Sequence, residues 1–374
     1  MDLLSGIWTY VGTFLVVLTV LVFVHELGHY LVARRNGVRV DVFSIGFGPE
    51  LFGFNDRAGT RWKFSAIPLG GYVKMFGDAD AASTPGGGLR EMTPEEREVS
   101  FHHKRVGQRA AVVVAGPAAN FLFAIVVLAG LFALQGQPFT PPVIGEVQAD
   151  SAAAAAGLQP GDRFVAVAGR EVERFEDVQE AVRTGAGSPM EIVVERDGRQ
   201  VATTAVPEAT EITDRFGNTH RIGLLGISRS GMEFRRLDPL SALWTAGSET
   251  VKLTVGTLGA VGQMISGSRG TEELGGPLRI AQMSGEVAQS GIVALVWFMA
   301  ILSINLGLIN LFPIPMLDGG HLMFYAVEAV RGKPLGERAQ EYGFRIGLAL
   351  VLTLMIFATW NDLVHLRVFD LFRG

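Results

Sequence analysis

Three ionisable side chains, His25, Glu26 and His29, stand inside an apolar run that extends from Ile7 to Ala33. On a helix, residues four apart share a face roughly 6 Å apart, so His25 and His29 can grip one metal ion with Glu26 beside them. The run His25-Glu26-Leu27-Gly28-His29 is the H-E-x-x-H zinc pattern. An ionised group at bilayer depth costs on the order of 2.5–3.5 kcal/mol even on lenient insertion scales, so three such groups together need a partner, and Zn²⁺ is one.

A helix from Ile7 to Ala33 would be about 40 Å long, enough to cross a hydrocarbon core of roughly 30 Å with some tilt. No basic region precedes it and His25-Glu26 interrupts the place of a cleavage site, so it reads as a span and not as a removed signal peptide. Arg34, Arg35 and Arg39 follow, which puts this end in the cytoplasm and the motif in the inner third of the membrane. Across 374 residues the chain is 48% hydrophobic and only 18% charged, the balance of a polytopic membrane protein. Lack of cysteine excludes a thiolate zinc site and a disulfide framework. A net charge of −5 gives no sign of nucleic-acid binding.

Residues 36–108 read as a cytoplasmic loop, with strands over Val38–Phe54 and Arg61–Met75 forming a hairpin about the turn Asn55–Gly59. Its apolar stretch Ile45-Gly46-Phe47-Gly48 could lie against the membrane, against an extended substrate, or simply pack. Asp78–Glu98 is polar and Gly-rich and reads as a mobile linker, and His102 and His103 as solvated. The second span covers 109–135, uncharged from Ala110 to Leu134. It holds Gly116-Pro117-Ala118-Ala119-Asn120; the small residues permit close helix approach, and a buried Asn120 must find a hydrogen-bond partner near the first helix.

Short strands and turns fill 141–207, with Asp197-Gly198 between two of them. The run Ala156-Gly157-Leu158-Gln159-Pro160-Gly161-Asp162, followed by an alternating strand and Gly169, resembles a PDZ domain, a fold that accepts peptides by strand addition. Residues 208–286 form a connector carrying an amphipathic helix over 241–266, suited to lying on the membrane. The third span, 287–320, ends in Asn310-Leu311-Phe312-Pro313-Ile314-Pro315-Met316-Leu317-Asp318-Gly319. Two prolines forbid a regular helix there, and bent backbone at membrane depth must be buried or line a cavity, so Asp318 looks positioned. His321 stands close enough in sequence to Asp318 to serve behind the metal ligands, but reads first as a surface residue. A fourth span lies within 343–364. Alternate crossing returns Asp318 to the side of His25 and His29, and two histidines with one carboxylate leave a position open for water, the mark of a catalytic zinc site.

Four motifs in this order, H-E-x-x-H, G-P-A-A-N-F at 116–121, a PDZ-like module and N-x-x-P-x-P-x-L-D-G at 310–319, resemble the site-2 protease family, in its bacterial regulator-of-sigma-E type. The resemblance implies an intramembrane zinc metalloprotease with one Zn²⁺ per chain held by His25, His29 and Asp318, and Glu26 as catalytic glutamate. It also implies a bacterial inner-membrane location, a single-span membrane protein as substrate, often a pre-cleaved anti-sigma factor or a signal-peptide remnant, and Asn310 near that substrate. Asn120, Gly46, Phe47 and Gly48 are further candidates for substrate contact. The expected architecture is a polytopic α-helical membrane protein of four spans with a membrane-associated β-hairpin and an inserted PDZ-like α+β domain, its partners being the bilayer, the substrate and a peptide or substrate domain at the PDZ-like module. Relatives of this type often carry two PDZ domains, and here there is room for one. A silent scaffold or a zinc transporter remain alternatives; the first does not need all four site residues, and the second would place ligands in spans that lack them.

Overall fold

The computed structural model describes residues 8–78, 92–213, 219–268, 270 and 275–365. Four helices among these are long and apolar enough to cross a membrane: Thr9–Arg35, Val106–Leu134, Ile292–Asn310 and Arg338–Val364. The chain divides into two compact units, one holding nearly all of the candidate spans and one formed by residues 130–242 and 260–270.

In the first unit a π-helical turn, Trp8–Gly12, leads into α1, Thr13–Arg35. The helix stops where Gly37 takes φ +68° and Val38 donates back to the Ala33 carbonyl, an end that glycine permits at little cost. Strands β1, Val40–Asn55, and β2, Arg61–Met75, form an antiparallel hairpin with several register shifts. Its root is buried through Val40, Phe43, Val73 and Met75; Leu51, Phe52, Ile67 and Leu69 toward the opposite end are exposed, as is Phe54 on the segment that pairs with Trp62. The Asp56 carboxylate accepts from the N–H of Ala58 and Thr60 in the turn, and from Tyr30 on α1 and the Trp62 indole, which ties the hairpin to the first span.

The expected linker is partly ordered. Asp78 is buried, accepting from the Met75 N–H and pairing with His102 Nε2 at 2.9 Å, so neither residue is free in solvent. Residues 94–99 form a short helix with a Thr93/Glu96 capping box. The remainder of the expected linker, 79–91, lies outside the described residues. Helix α2, Val106–Leu134, continues through Pro117.

The second unit begins with β3, Gln137–Phe139, and β4, Ile144–Val147. Strands β5 (Arg163–Val167), β6 (Arg170–Glu171), β7 (Met190–Arg196) and β8 (Arg199–Ala205) make an antiparallel sheet in the order β6-β5-β7-β8, with helix α3, Phe175–Thr184, between β6 and β7 in sequence. Asp197 and Gly198 both have positive φ, the primed turn whose twist suits a two-residue hairpin. The core joins Ile144, Phe164, Val178, Ile192 and Val194. The module does not stop at 207. Beyond the pair β9 (Glu208–Thr213) and β10 (Thr219–Leu224), Leu225 enters that core, β11 (Ile227–Arg229) pairs with β4, and β12 (Glu233–Arg235) pairs with β3. The sequence conceals this because the closing strands are only three residues long.

Helix α4, Pro239–Ile265, is 27 residues long and is not among the candidate spans; Trp244, Val251, Val255 and Ile265 on it are exposed. Helix α5, Pro277–Gln289, has its N-terminal N–H groups at Gly276, Leu278 and Arg279 capped by the buried Asp362 carboxylate. The expected third span is three elements. Gly291, at φ +108°, separates α5 from α6, Ile292–Asn310; residues 311–317 turn back; and α7, Asp318–Arg331, starts anew. Helix α8, Glu337–His365, is longer than the apolar segment alone; Glu341 and Arg345 pair i to i+4 on its exposed first turns, a minor local support.

Candidate active site

Helix α1 presents His25 and His29 to α2 where α2 has no side chain. A Cβ on Gly116 would meet His29 Nε2 at 2.3 Å and His25 Cε1 at 2.9 Å. The reciprocal small residue is Gly28, whose Cβ would stand 2.2 Å from the Ala115 carbonyl oxygen and 2.7 Å from Ala119 Cβ. Backbones can approach this closely only over glycine.

Asp318 arrives from the other side. Segment 311–317 folds under α7, with Met316 at φ +92°, an unusual conformation for a residue that carries a side chain. Gly319 and Gly320 let the new helix sit on that segment, since Cβ atoms there would come within 2.2 Å of the Phe312 and 2.4 Å of the Ile314 carbonyl oxygen. Asp318 is therefore the first residue of a helix, where the backbone dipole favours a carboxylate.

The three donors converge. His25 Nε2 and His29 Nε2 are 3.2 Å apart, and Asp318 Oδ2 lies 3.2 Å from the first and 3.6 Å from the second. Metal–donor distances of 2.0–2.1 Å in a tetrahedral zinc site put donors about 3.3 Å apart, so the spacing fits. The hydrogen bonding fits too. The His29 Nδ1–H donates to the Val112 carbonyl at 2.9 Å, which leaves Nε2 of the neutral ring as a lone pair, and buried Asp318 Oδ2 has no hydrogen-bond donor among the described residues. Lone pairs gathered around one point call for a cation.

These residues line a cavity of about 210 Å³, which Glu26, Asn310 and His321 also line. Gly71, Tyr72 and Val73 of β2 form part of its wall. Sequence reading puts the hairpin's contribution at Gly46, Phe47 and Gly48, none of which lines the cavity; Phe47 stacks on Tyr72 at 5.9 Å between ring centroids. The pair Gly70-Gly71 within a strand is the available signal for close approach. Asn310 donates to the Leu306 carbonyl of its own helix. Asn120 is fully buried with its amide 3.2 Å from His25 Nδ1. His321 is a wall of the cavity and not a surface residue; its Nδ1 faces the Leu317 carbonyl at 3.2 Å and its Nε2 is buried without a partner among the described residues. Below the cavity, Arg109 of α2 bonds Glu328 of α7 at 2.5 Å and lies over the Tyr325 ring, fastening the helix that carries Asp318.

An H-E-x-x-H helix and a distant aspartate meeting inside a bundle of membrane-crossing helices define a membrane-embedded metallohydrolase. The model of peptidase family M50 matches residues 13–354. A protein of Agrobacterium fabrum provisionally named as a zinc metalloprotease is 50% identical over 362 residues, 96% of each chain. One of Rhizobium meliloti with the same designation is 48% identical over 366 residues, 96% of this chain and 98% of its own. The metalloprotease MmpA of Caulobacter vibrioides is 41% identical over 384 residues, 96% of each chain. Among solved structures, the PDZ domain of an SdrC-like protein from Listeria monocytogenes overlies 24% of this chain and 88% of its own at 16% identity and a TM-score of 0.19, too slight a likeness to carry an argument. The chain belongs to peptidase family M50, the site-2 proteases, and is a membrane-embedded zinc metalloprotease.

Proposed function

We propose that this protease hydrolyses a peptide bond within or beside the transmembrane segment of a single-span membrane protein, using one Zn²⁺ held by His25, His29 and Asp318. The observation that carries the reading is the meeting of three donor atoms 3.2–3.6 Å apart in a cavity that Glu26 also lines. When bound, zinc lowers the pKa of its water to about 7 and polarises the scissile carbonyl. Glu26 acts as general base through its carboxylate, taking a proton from the attacking water and returning it to the leaving nitrogen. An intact substrate helix hides its carbonyls in its own hydrogen bonds, so the substrate must unwind locally. The Gly71–Val73 stretch of β2, paired by β1 on one edge through Phe43–Ile45, lies in the cavity wall and supports a strand-like seat for the unwound segment.

The exposed apolar residues of the hairpin tip and of α4 suit contact with lipid. In a bacterial inner membrane, the arginines after α1 put the site toward the cytoplasm and the inserted module, by span parity, outside. That module contains a cavity of about 520 Å³ between α3 and residues 222–227, a place for a peptide or a substrate domain. The substrate class fitting this arrangement is a membrane protein already trimmed outside, an anti-sigma factor or a signal-peptide remnant. Cleavage of a tagged single-span substrate in reconstituted membranes, with chelator and Glu26→Gln as controls and with zinc content measured, tests the reading. Product lost in both controls and about one zinc per wild-type chain are expected; zinc bound without cleavage of any substrate in a broad panel would sink the activity, and no zinc would sink the site.

A further inference from the structure

We infer that Asn120 is the positioning residue of His25: its side-chain oxygen accepts the His25 Nδ1–H and so turns Nε2 toward the metal as a lone pair. The inference rests on the zinc site proposed above and assigns Asn120 to that site instead of to substrate contact.

One atom of Asn120 stands unpaired among the described residues. Asn120 is completely buried, its Nδ2 faces His25 Nδ1 at 3.2 Å, and its Oδ1 is buried with no partner among the described residues. An amide's nitrogen and oxygen are almost the same size, and which is which is assigned from the hydrogen bonds they make. With Nδ2 donating to Nδ1, the proton of a neutral His25 must sit on Nε2. There it would point among His29 Nε2 and Asp318 Oδ2, each 3.2 Å away, and occupy the lone pair that a metal requires. With the amide turned over, Oδ1 gains a donor at the same distance, Nδ1 carries the proton, and all three inward atoms are free to ligate.

His29 already has such a brace. Its Nδ1–H is held by the Val112 carbonyl at 2.9 Å, so α2 would support both histidines, one through backbone and one through a side chain two turns further on. Asn120 is itself fixed from α6. Its carbonyl accepts from the Ser303 hydroxyl at 2.9 Å, and Gly307 leaves room for its Cβ, which a methyl there would meet at 3.3 Å. Three helices enclose the side chain, leaving no surface for a substrate.

The test uses the full-length protein in nanodiscs, with zinc affinity read by chelator competition, melting of the metal-free form, and KM and kcat separately. Asn120→Leu, equal in shape and without an acceptor, is expected to weaken zinc binding about 10–100-fold. Asn120→Asp, which keeps the acceptor, is expected to hold zinc within about threefold of wild type or tighter, and decides the matter if the leucine variant does not fold. Wild-type zinc affinity in Asn120→Leu, above all with a raised KM, overturns the inference, as does a loss in Asn120→Asp equal to that of the leucine variant. Absence of zinc from the wild type would overturn the metal site and this inference with it, whereas a zinc-loaded wild type beside an unaffected leucine variant overturns the inference alone.

Discussion

Gly116 and His29 touch across the interface of the first two membrane helices, so closely that a Cβ on the glycine would stand 2.3 Å from His29 Nε2. The donor atom of one histidine occupies the space that every other residue type would fill. Gly116→Ala must push His29 or the helix aside, a small-to-large change of the kind that costs about 1–3 kcal/mol. Zinc affinity is expected to fall along with stability, measured by chelator competition and by denaturation in mild detergent. An alanine variant with unaltered zinc binding would contradict the contact.

Gly28 makes the opposite approach, toward the α2 backbone, where a Cβ would stand 2.2 Å from the Ala115 carbonyl oxygen. Gly28→Ala is expected to separate α1 from α2 and cost about 1–3 kcal/mol in a detergent unfolding titration. An unchanged midpoint would show that the two helices are not packed as described.

Glu26 lies outside the set of three converging donors and lines the same cavity. Glu26→Gln keeps the shape and removes the base, so peptide-bond cleavage should drop about 10²–10⁴-fold while zinc content stays at the wild-type level. Loss of metal in this variant would instead make Glu26 a ligand.

Asp56 gives the hairpin a dependence on pH. Burial works to raise its carboxyl, but hydrogen bonds from Tyr30, Trp62 and the turn backbone outweigh this and bring it from an ordinary 3.8 down to about 2. A folded-state value below the unfolded one contributes stability that is fully present above about pH 4 and lost as pH falls through 2. Trp62 fluorescence and protease sensitivity of the hairpin should change in that acid window, and the change should be absent in Asp56→Asn. A tryptophan signal that is flat down to pH 2 would refute the tie.

Strands β3 and β12 pair Gln137 with Arg235, so the two ends of the inserted module leave side by side. The module can therefore be excised at 137–235 and the gap closed with a short flexible linker. If a single module bars substrates with bulky outer domains, the excised enzyme should cleave an untrimmed substrate that the full-length enzyme leaves intact. Intact substrate surviving excision, with trimmed substrate still cut, would reject the filter.

Helix existence is written in the chain because apolar length and a charged boundary are local properties: α1, α2 and α8 follow from them. The H-E-x-x-H spacing is equally local, since a helix sets the i to i+4 neighbourhood without help. The hairpin turn and Asp197-Gly198 are likewise carried by a few residues whose backbone preferences are strong. Other features have no such signature. The prolines at 313 and 315 announce a break before Asp318, but not that residues 311–317 fold back and a new helix starts at Asp318; that depends on Gly319, Gly320 and Gly347 meeting carbonyls of the preceding segment. Asp78 and His102 look solvated in the sequence because each alone is polar, and they are held only as a pair. His321 becomes a cavity wall, and Leu225 a member of the inserted module's core, through contacts with residues distant in sequence. The chain by itself determined which segments are apolar and long enough to cross and which residues stand at a metal-binding spacing, because periodicity and hydrophobicity act over a few turns. Tertiary packing decided that His25, His29 and Asp318 share one point and that Gly116 and Asn120 stand behind them, because only close helix approach converts motifs nearly 300 residues apart into a single site.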